Sequence, residues 1–224
     1  MKILNWNVRG LGDDEKCSLV RDSITSCCPS IVCLQETKLE SISTRKMRSF
    51  LPACLDGHVV VPSSGASGGI LIIWSSSVFE GQLVEIQRFS VVVSFKSVHN
   101  SEKWTMVPIY EPCEGQPRDD FVSWLYHLSI PFDENWMLLG DFNFIRSLDN
   151  RNQPGGDINY IFLFNEVIGH LGLLELPIKG RSFTWSNMQQ IPLLEQLDWF
   201  FTTSDWISHY PNIVVFPLAK TASD

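Results

Sequence analysis

The sequence has 224 residues, 44% of them hydrophobic, with 8 Trp and 14 Phe, which suits one sizeable domain with a real core. A formal net charge of -8 and a pI near 5.1 argue against a basic nucleic-acid coat protein, but leave room for an enzyme that meets a polyanion through a bound cation and a local basic rim. No apolar run approaches the roughly 18 residues of a membrane span, and the opening Met-Lys-Ile-Leu-Asn-Trp-Asn7 turns polar too soon for a signal peptide, so an intracellular, soluble protein is expected.

From the start, Ile3, Asn5 and Asn7 alternate with Leu4, Trp6 and Val8, which predicts a strand, broken by Arg9-Gly-Leu-Gly12. Asp13 or Asp14 then caps a helix running to about Cys27, with Leu19, Val20 and Ile24 inward and Pro29 as its stop. Ile31-Val-Cys-Leu-Gln-Glu36 is a short apolar strand ending in a carboxylate. A second helix is predicted over Ser41 to Phe50, where Arg45, Lys46 and Arg48 fit a solvated face. Short apolar runs from Val59 to Val107 predict an antiparallel meander, in which the Ser63-Ser-Gly-Ala-Ser-Gly-Gly69 stretch is a loop and not a phosphate loop, because no Gly-Lys-Ser/Thr follows. Pro112 to Pro117 reads as a connector, and an amphipathic helix is predicted from Arg118 to Leu128.

Trp136-Met-Leu-Leu-Gly-Asp-Phe-Asn143 is the most enzyme-like stretch. At the end of an apolar strand the side-chain period of two turns Asp141 and Asn143 the same way, with Phe142 packed behind. A polar loop (149–156), a helix over Asn159 to His170, a strand over Gly180 to Asn187, a strand over Leu193 to Thr202 carrying Asp198, and a last apolar segment at Ile213 to Phe216 follow. The cysteines at 17, 27, 28, 33, 54 and 113 form no Cys-x-x-Cys pair and none is matched to histidines at zinc spacing, so free thiols in a reducing compartment are expected. No linker or repeat is visible, and the expectation is a single domain over 1–224.

Asn7, Glu36, Tyr110, Asp141, Asn143 and Asp198 all stand at strand ends or turn mouths. Each alone is an ordinary loop residue. Together they suggest a carboxylate-and-amide cleft, a donor set favoured by hard divalent cations and phosphates.

Asn5-Trp-Asn-Val-Arg-Gly-Leu11, Cys33-Leu-Gln-Glu-Thr-Lys38, Leu139-Gly-Asp-Phe-Asn143, Phe183-Thr-Trp-Ser-Asn187, Leu197-Asp-Trp-Phe-Phe201 and Ala222-Ser-Asp224 follow one another in this order. With them the sequence resembles the endonuclease/exonuclease/phosphatase superfamily, and within it the apurinic-type endonuclease domain of plant LINE-type (non-LTR) retrotransposons. The resemblance implies an α/β fold, a four-layer α/β sandwich of two mixed, mostly antiparallel sheets packed face to face with helices outside. It implies Mg²⁺, with Mn²⁺ as a substitute, held by Glu36 with Asn7 and Asp224. Asp141 resembles the residue that aligns or deprotonates the attacking water, and Asn143, Tyr110 and Asn187 the groups that hold the substrate. Asp198 resembles the acid that orients a catalytic histidine. DNA as substrate, a fused reverse transcriptase in a full-length element, a monomeric state and a nuclear location are further implications.

Two departures stand out. Tyr110 is followed by Glu111 where the family pattern has Gly, adding bulk and negative charge near the phosphate site. The family's Ser-Asp-His is represented by Ser223-Asp224, and His58, His99, His127, His170 and His209 stand in other contexts. The expectation is a C-terminally incomplete domain, without its last strand, and impaired in rate. Two other readings remain at this point: a phosphatase of phosphoinositides or small phosphoesters, and a non-catalytic binding module.

Overall fold

A computed structural model of the chain describes residues 1–65, 67–110, 118–131 and 134–218. These fall into two compact units, one made from Met1–Trp104 and a second beginning at Thr105.

The first unit opens with β1 (Ile3–Asn7), α1 (Asp14–Cys27), β2 (Ile31–Gln35) and α2 (Thr44–Phe50). Asp13 caps α1 by accepting the Glu15 N–H at 2.9 Å, and Cys28 ends it in the left-handed conformation at φ 46°. The helix buries Cys17, Val20 and Ile24, whereas Leu19 is only half-buried. α2 starts later than its sequence suggests, because Ser43 supplies the cap to the Lys46 N–H at 3.1 Å. Arg45 and Arg48 on it are solvated, and Lys46 lies 3.7 Å from Asp14.

β3 (Gly57–Ser64) and β4 (Ser67–Trp74) complete a four-stranded sheet of order β1-β2-β4-β3, with β1 and β2 parallel and the other pairs antiparallel. β2 is buried at every position, as a central strand covered on both faces requires. The Ser/Gly stretch, expected to be a loop, is instead the tip of this hairpin, with Ser63 opposite Gly68 and Ser64 opposite Ser67. Two strand ends meet there, and the Thr37 and Lys38 N–H groups donate to Gly69 and Gly68 carbonyls at 3.0 Å each.

β5 (Phe79–Ile86), β6 (Val91–Ser97) and β7 (Lys103–Tyr110) follow. The expected single meander is therefore divided. β3 and β4 join β2, whereas β5, β6 and β7 belong to a second, six-stranded sheet of order β5-β6-β7-β8-β12-β9. Apolar alternation marks a strand but carries no information on which sheet receives it.

Trp74 binds the hairpins of the first unit together. Its ring meets Phe95 edge-on at 5.5 Å and lies over Gly57 and Gly81. A β-carbon at Gly81 would sit 2.6 Å from Trp74 Cε2. Gly81→Ala is therefore expected to destabilise the protein by about 1–3 kcal/mol through overpacking. A thermal melt should show a fall of several degrees, and an unchanged midpoint would mean that the indole moves freely.

In the second unit β7 runs out at Tyr110, followed by α3 (Arg118–Tyr126), β8 (Trp136–Asp141), a 3₁₀ turn (Leu148–Asn150), α4 (Ile158–His170) and β9 (Leu174–Glu175). Then come β10 (Trp185–Ser186), β11 (Leu194–Glu195), β12 (Asp198–Thr202) and α5 (Ser204–His209). β7 and β8 are parallel, while β12 runs antiparallel to both β8 and β9. The long strands expected over Gly180–Asn187 and Leu193–Thr202 shrink to the two-residue ribbon β10–β11 plus β12, and Val215 makes one isolated bridge to Ile178. The core is a cluster of rings: Phe142 lies 5.4 Å from Phe201 and 5.7 Å from Phe164, and Phe144 stacks on Phe164 at 5.3 Å. Such rings bury large apolar areas and prefer edge and offset contacts.

Two mixed sheets with helices around them make the α/β sandwich that the resemblance implied. Among the described residues no helix is long and apolar enough to cross a membrane. The described cysteines are free. Cys33 lies in the middle of β2 and burial pushes its thiol well above the ordinary range, whereas Cys28 and Cys54 are exposed. Iodoacetamide should label Cys28 and Cys54 in the native protein and Cys33 only after unfolding, as peptide mass mapping would show. Native labelling of Cys33 would contradict the packing of β2.

Candidate active site

The first unit contributes a pair of side chains where parallel strands β1 and β2 end. Asn7 stands opposite Gln35 in the register, and Glu36 follows at once. Asn7 Nδ2 donates to Glu36 Oε1 at 2.6 Å, while Asn7 Oδ1 accepts the Arg9 N–H at 3.2 Å. The amide thus has its donor on the carboxylate and its acceptor on its own turn, and holds Glu36 in one orientation. Both are half-buried. Glu36 has φ 52°, a left-handed backbone that costs a non-glycine residue of order 1–3 kcal/mol. The Thr37 N–H bond to Gly69 and the Leu11 N–H bond to Thr37 hold that conformation.

The donor chemistry fits a hard cation. Glu36 has one oxygen on Asn7, and among the described residues the other has no partner. Mg²⁺ uses one or two carboxylates and completes its shell with water and substrate oxygens, so a half-buried, oriented carboxylate suffices. Among the described residues no three His, Cys, Asp or Glu side chains form a closed cage. Asp224, the other expected ligand, lies outside the described residues, as do Glu111 and Cys113.

The second unit contributes a row across three strands. Tyr110 on β7 is in register with Asp141 on β8, and Asp141 with Asp198 on β12. Residues directly opposite in a sheet present their side chains on one face, a few ångströms apart. The expected side chains Tyr110, Asp141 and Asp198 are therefore neighbours, although they are far apart in sequence. Asp141 Oδ1 accepts the Asn143 N–H at 3.0 Å, an Asx turn that sets Asn143 at φ 54° beside the row. All four are half-buried. Burial pushes the Tyr110 hydroxyl above its usual range, so it stays protonated and able to donate.

The supports of this row were not visible in the sequence. Thr184 Oγ1 accepts the N–H groups of Leu197 and Asp198 at 3.0 and 3.1 Å, anchoring the start of β12. Trp199 Nε1 donates to the Phe144 carbonyl at 2.7 Å and holds the turn after Asp141 from behind. Asn187, expected at the substrate, has its Oδ1 on the Gln189 and Leu193 N–H groups and closes the β10–β11 hairpin. Three histidines of this unit are held at helix ends: His127 Nδ1 is 2.7 Å from the Ser123 carbonyl, His209 Nδ1 2.7 Å from the Asp205 carbonyl, and His170 stacks on Tyr126 at 4.1 Å.

A cavity of about 600 Å³ within the second unit opens beside Asn143. Arg118, Phe144, Tyr160 and Leu197 line it, together with Arg151 and Glu195, which form an ion pair at 3.1 Å.

Comparison with known proteins gives a consistent picture. No curated protein matches the sequence. Among solved structures, the AP endonuclease LMAP from Leishmania major is similar at TM-score 0.70 and 15% identity, covering 92% of this chain and 80% of that one. The endonuclease domain of TRAS1, a telomere-specific non-LTR retrotransposon, is similar at TM-score 0.66 and 15% identity, covering 92% and 87%. An AP endonuclease from Archaeoglobus fulgidus is similar at TM-score 0.65 and 14% identity, again covering 92% and 87%. At these identities the likeness establishes the fold. The model of the Endonuclease/Exonuclease/phosphatase family matches residues 4–224, nearly the whole length, and the chain belongs to that family.

Proposed function

We propose that the whole chain acts as one Mg²⁺-dependent endonuclease domain that nicks DNA, of the kind carried by plant LINE-type retroelements and working in the nucleus. The observation that carries this reading is the row of Tyr110, Asp141 and Asp198 with Asn143 turned beside it, in a chain that also holds the oriented Glu36. Family membership and the likeness to a retrotransposon endonuclease support it.

Glu36 would hold the cation, with Asp224 as a further ligand, and Asn7 would keep the Glu36 carboxylate aimed. When bound, the cation neutralises charge on the scissile phosphate and the departing oxygen. Asp141 aligns the attacking water and accepts its proton as the P–O bond forms and the opposite P–O bond breaks. The Asn143 amide and the protonated Tyr110 hydroxyl donate to phosphate oxygens, where negative charge grows in the transition state. Asp198 is the acid suited to orient an imidazole. His127 and His209 are tied to carbonyls of their own helices and His170 is stacked on Tyr126, and none of the three is assigned that role. Asn187 shapes the hairpin at the rim.

Supercoiled plasmid incubated with the protein and Mg²⁺ tests the proposal. Open circles should accumulate, Mn²⁺ should substitute, and EDTA should stop the reaction. Phosphate release from phosphoinositides without nicking would shift the reading to a phosphatase. DNA binding with neither activity would make the chain a binding module.

A further inference from the structure

Arg118 is set apart from the other arginines of the second unit by its exposure. Arg146 is salt-bridged to Glu175 and stacks over Trp199 and Phe201, Arg151 is paired with Glu195, and Arg181 donates to the Leu218 carbonyl at 3.4 Å. All three are half-buried. Arg118 is exposed, and among the described residues no carboxylate pairs with it. Its guanidinium is nevertheless positioned, 5.2 Å from the Phe144 ring centre and 5.5 Å from that of Tyr160, with Nη2 donating to the Asn143 carbonyl at 3.4 Å. The nearby Asp119 carboxylate is engaged by the Tyr160 hydroxyl at 2.9 Å, which keeps the ring in place and the acid occupied. A cation laid on two rings, at the mouth of a cavity it shares with Asn143, has most of its donors turned to solvent.

We propose that Arg118 is a substrate-binding residue that takes a backbone phosphate of the nucleic acid neighbouring the one held at Asn143. This rests on the nuclease reading above. A planar guanidinium suits a phosphate because it donates two parallel bonds, and the rings hold it before the substrate arrives, so little side-chain freedom is lost on binding. Lysine in its place would lack both the fork and the stacking.

The test is binding of a fluorescent duplex in EDTA over a series of salt concentrations, with steady-state nicking in Mg²⁺ alongside. Arg118→Met should raise Kd about tenfold and flatten the log K against log salt slope by about 0.9, the signature of one lost phosphate contact. In the nicking assay KM should rise by a similar factor with kcat within about twofold, as for an interaction made equally in ground and transition states. Arg118→Lys should recover only part of the affinity. Tyr160→Leu, which removes a ring from beside the guanidinium, should weaken binding, and Tyr160→Phe, which keeps the ring but releases the Asp119 carboxylate, should weaken it less. An unchanged slope in Arg118→Met, or an equal change in the charge control Lys96→Met, would overturn the proposal and leave the nuclease reading intact. A protein that neither binds nor nicks DNA would overturn both.

Discussion

Asp141→Asn is expected to lower the nicking rate by roughly 10²–10⁴-fold, the usual contribution of a positioned base. The replacement is chosen because it removes the charge and basicity while keeping an acceptor oxygen. Asn at 141 can still receive the Asn143 N–H that Asp141 now holds at 3.0 Å, so the turn should survive. Asp198 stands directly opposite Asp141, on the same face of the sheet. A thermal melt taken alongside should show the midpoint kept within a few degrees, which separates lost chemistry from misfolding. A rate equal to the parent protein's would remove Asp141 from the chemistry. A fall in rate together with a lower midpoint would reduce it to a structural residue.

Glu36→Gln should be nearly as damaging, by a different route. Its amide oxygen can keep the bond from Asn7 Nδ2, now 2.6 Å long, but it brings no charge to a cation. The charge stabilisation that a bound metal supplies is worth several kcal/mol, so a loss of about 10²-fold or more is expected at fixed Mg²⁺. Raising Mg²⁺ should recover part of it, and Mn²⁺ binding followed by electron paramagnetic resonance should weaken in step. Asn7→Ala should show a milder version, about 10–100-fold, because it leaves the ligand in place and removes only what orients it. Equal Mn²⁺ affinity in parent and Glu36→Gln would exclude Glu36 as the ligand. The left-handed backbone of Glu36 at φ 52° is the kind of conformational cost that clusters at functional sites.

How much of this was legible in the sequence differs from residue to residue. Helix α1 could be placed closely, because its cap Asp13 and the Pro29 beyond its end are local signals that act within a few residues. The polar residues that close apolar strands, Asn7, Glu36, Tyr110, Asp141 and Asn143, were equally readable. A strand's period of two and the abrupt change from apolar to polar are both carried by adjacent positions. Even the Asx turn at Asp141 follows from Gly-Asp-Phe-Asn143.

Tertiary structure decided what is adjacent. Nothing near β3 and β4 says that they extend the β1–β2 sheet while β5 to β7 build another, since backbone pairing is the same for every strand and the choice is made by packing partners such as Trp74, Gly57 and Gly81. Only the pairing of β12 with β8 makes Asp198 the neighbour of Asp141, and only the fold brings Thr184 under Asp198. Arg118 is the clearest case. In the sequence it is the first residue of an amphipathic helix. Its meaning comes from two rings and a carbonyl supplied by residues far along the chain, Phe144, Tyr160 and Asn143. Local chemistry determined which side chains were available for a site, and long-range packing determined which of them meet.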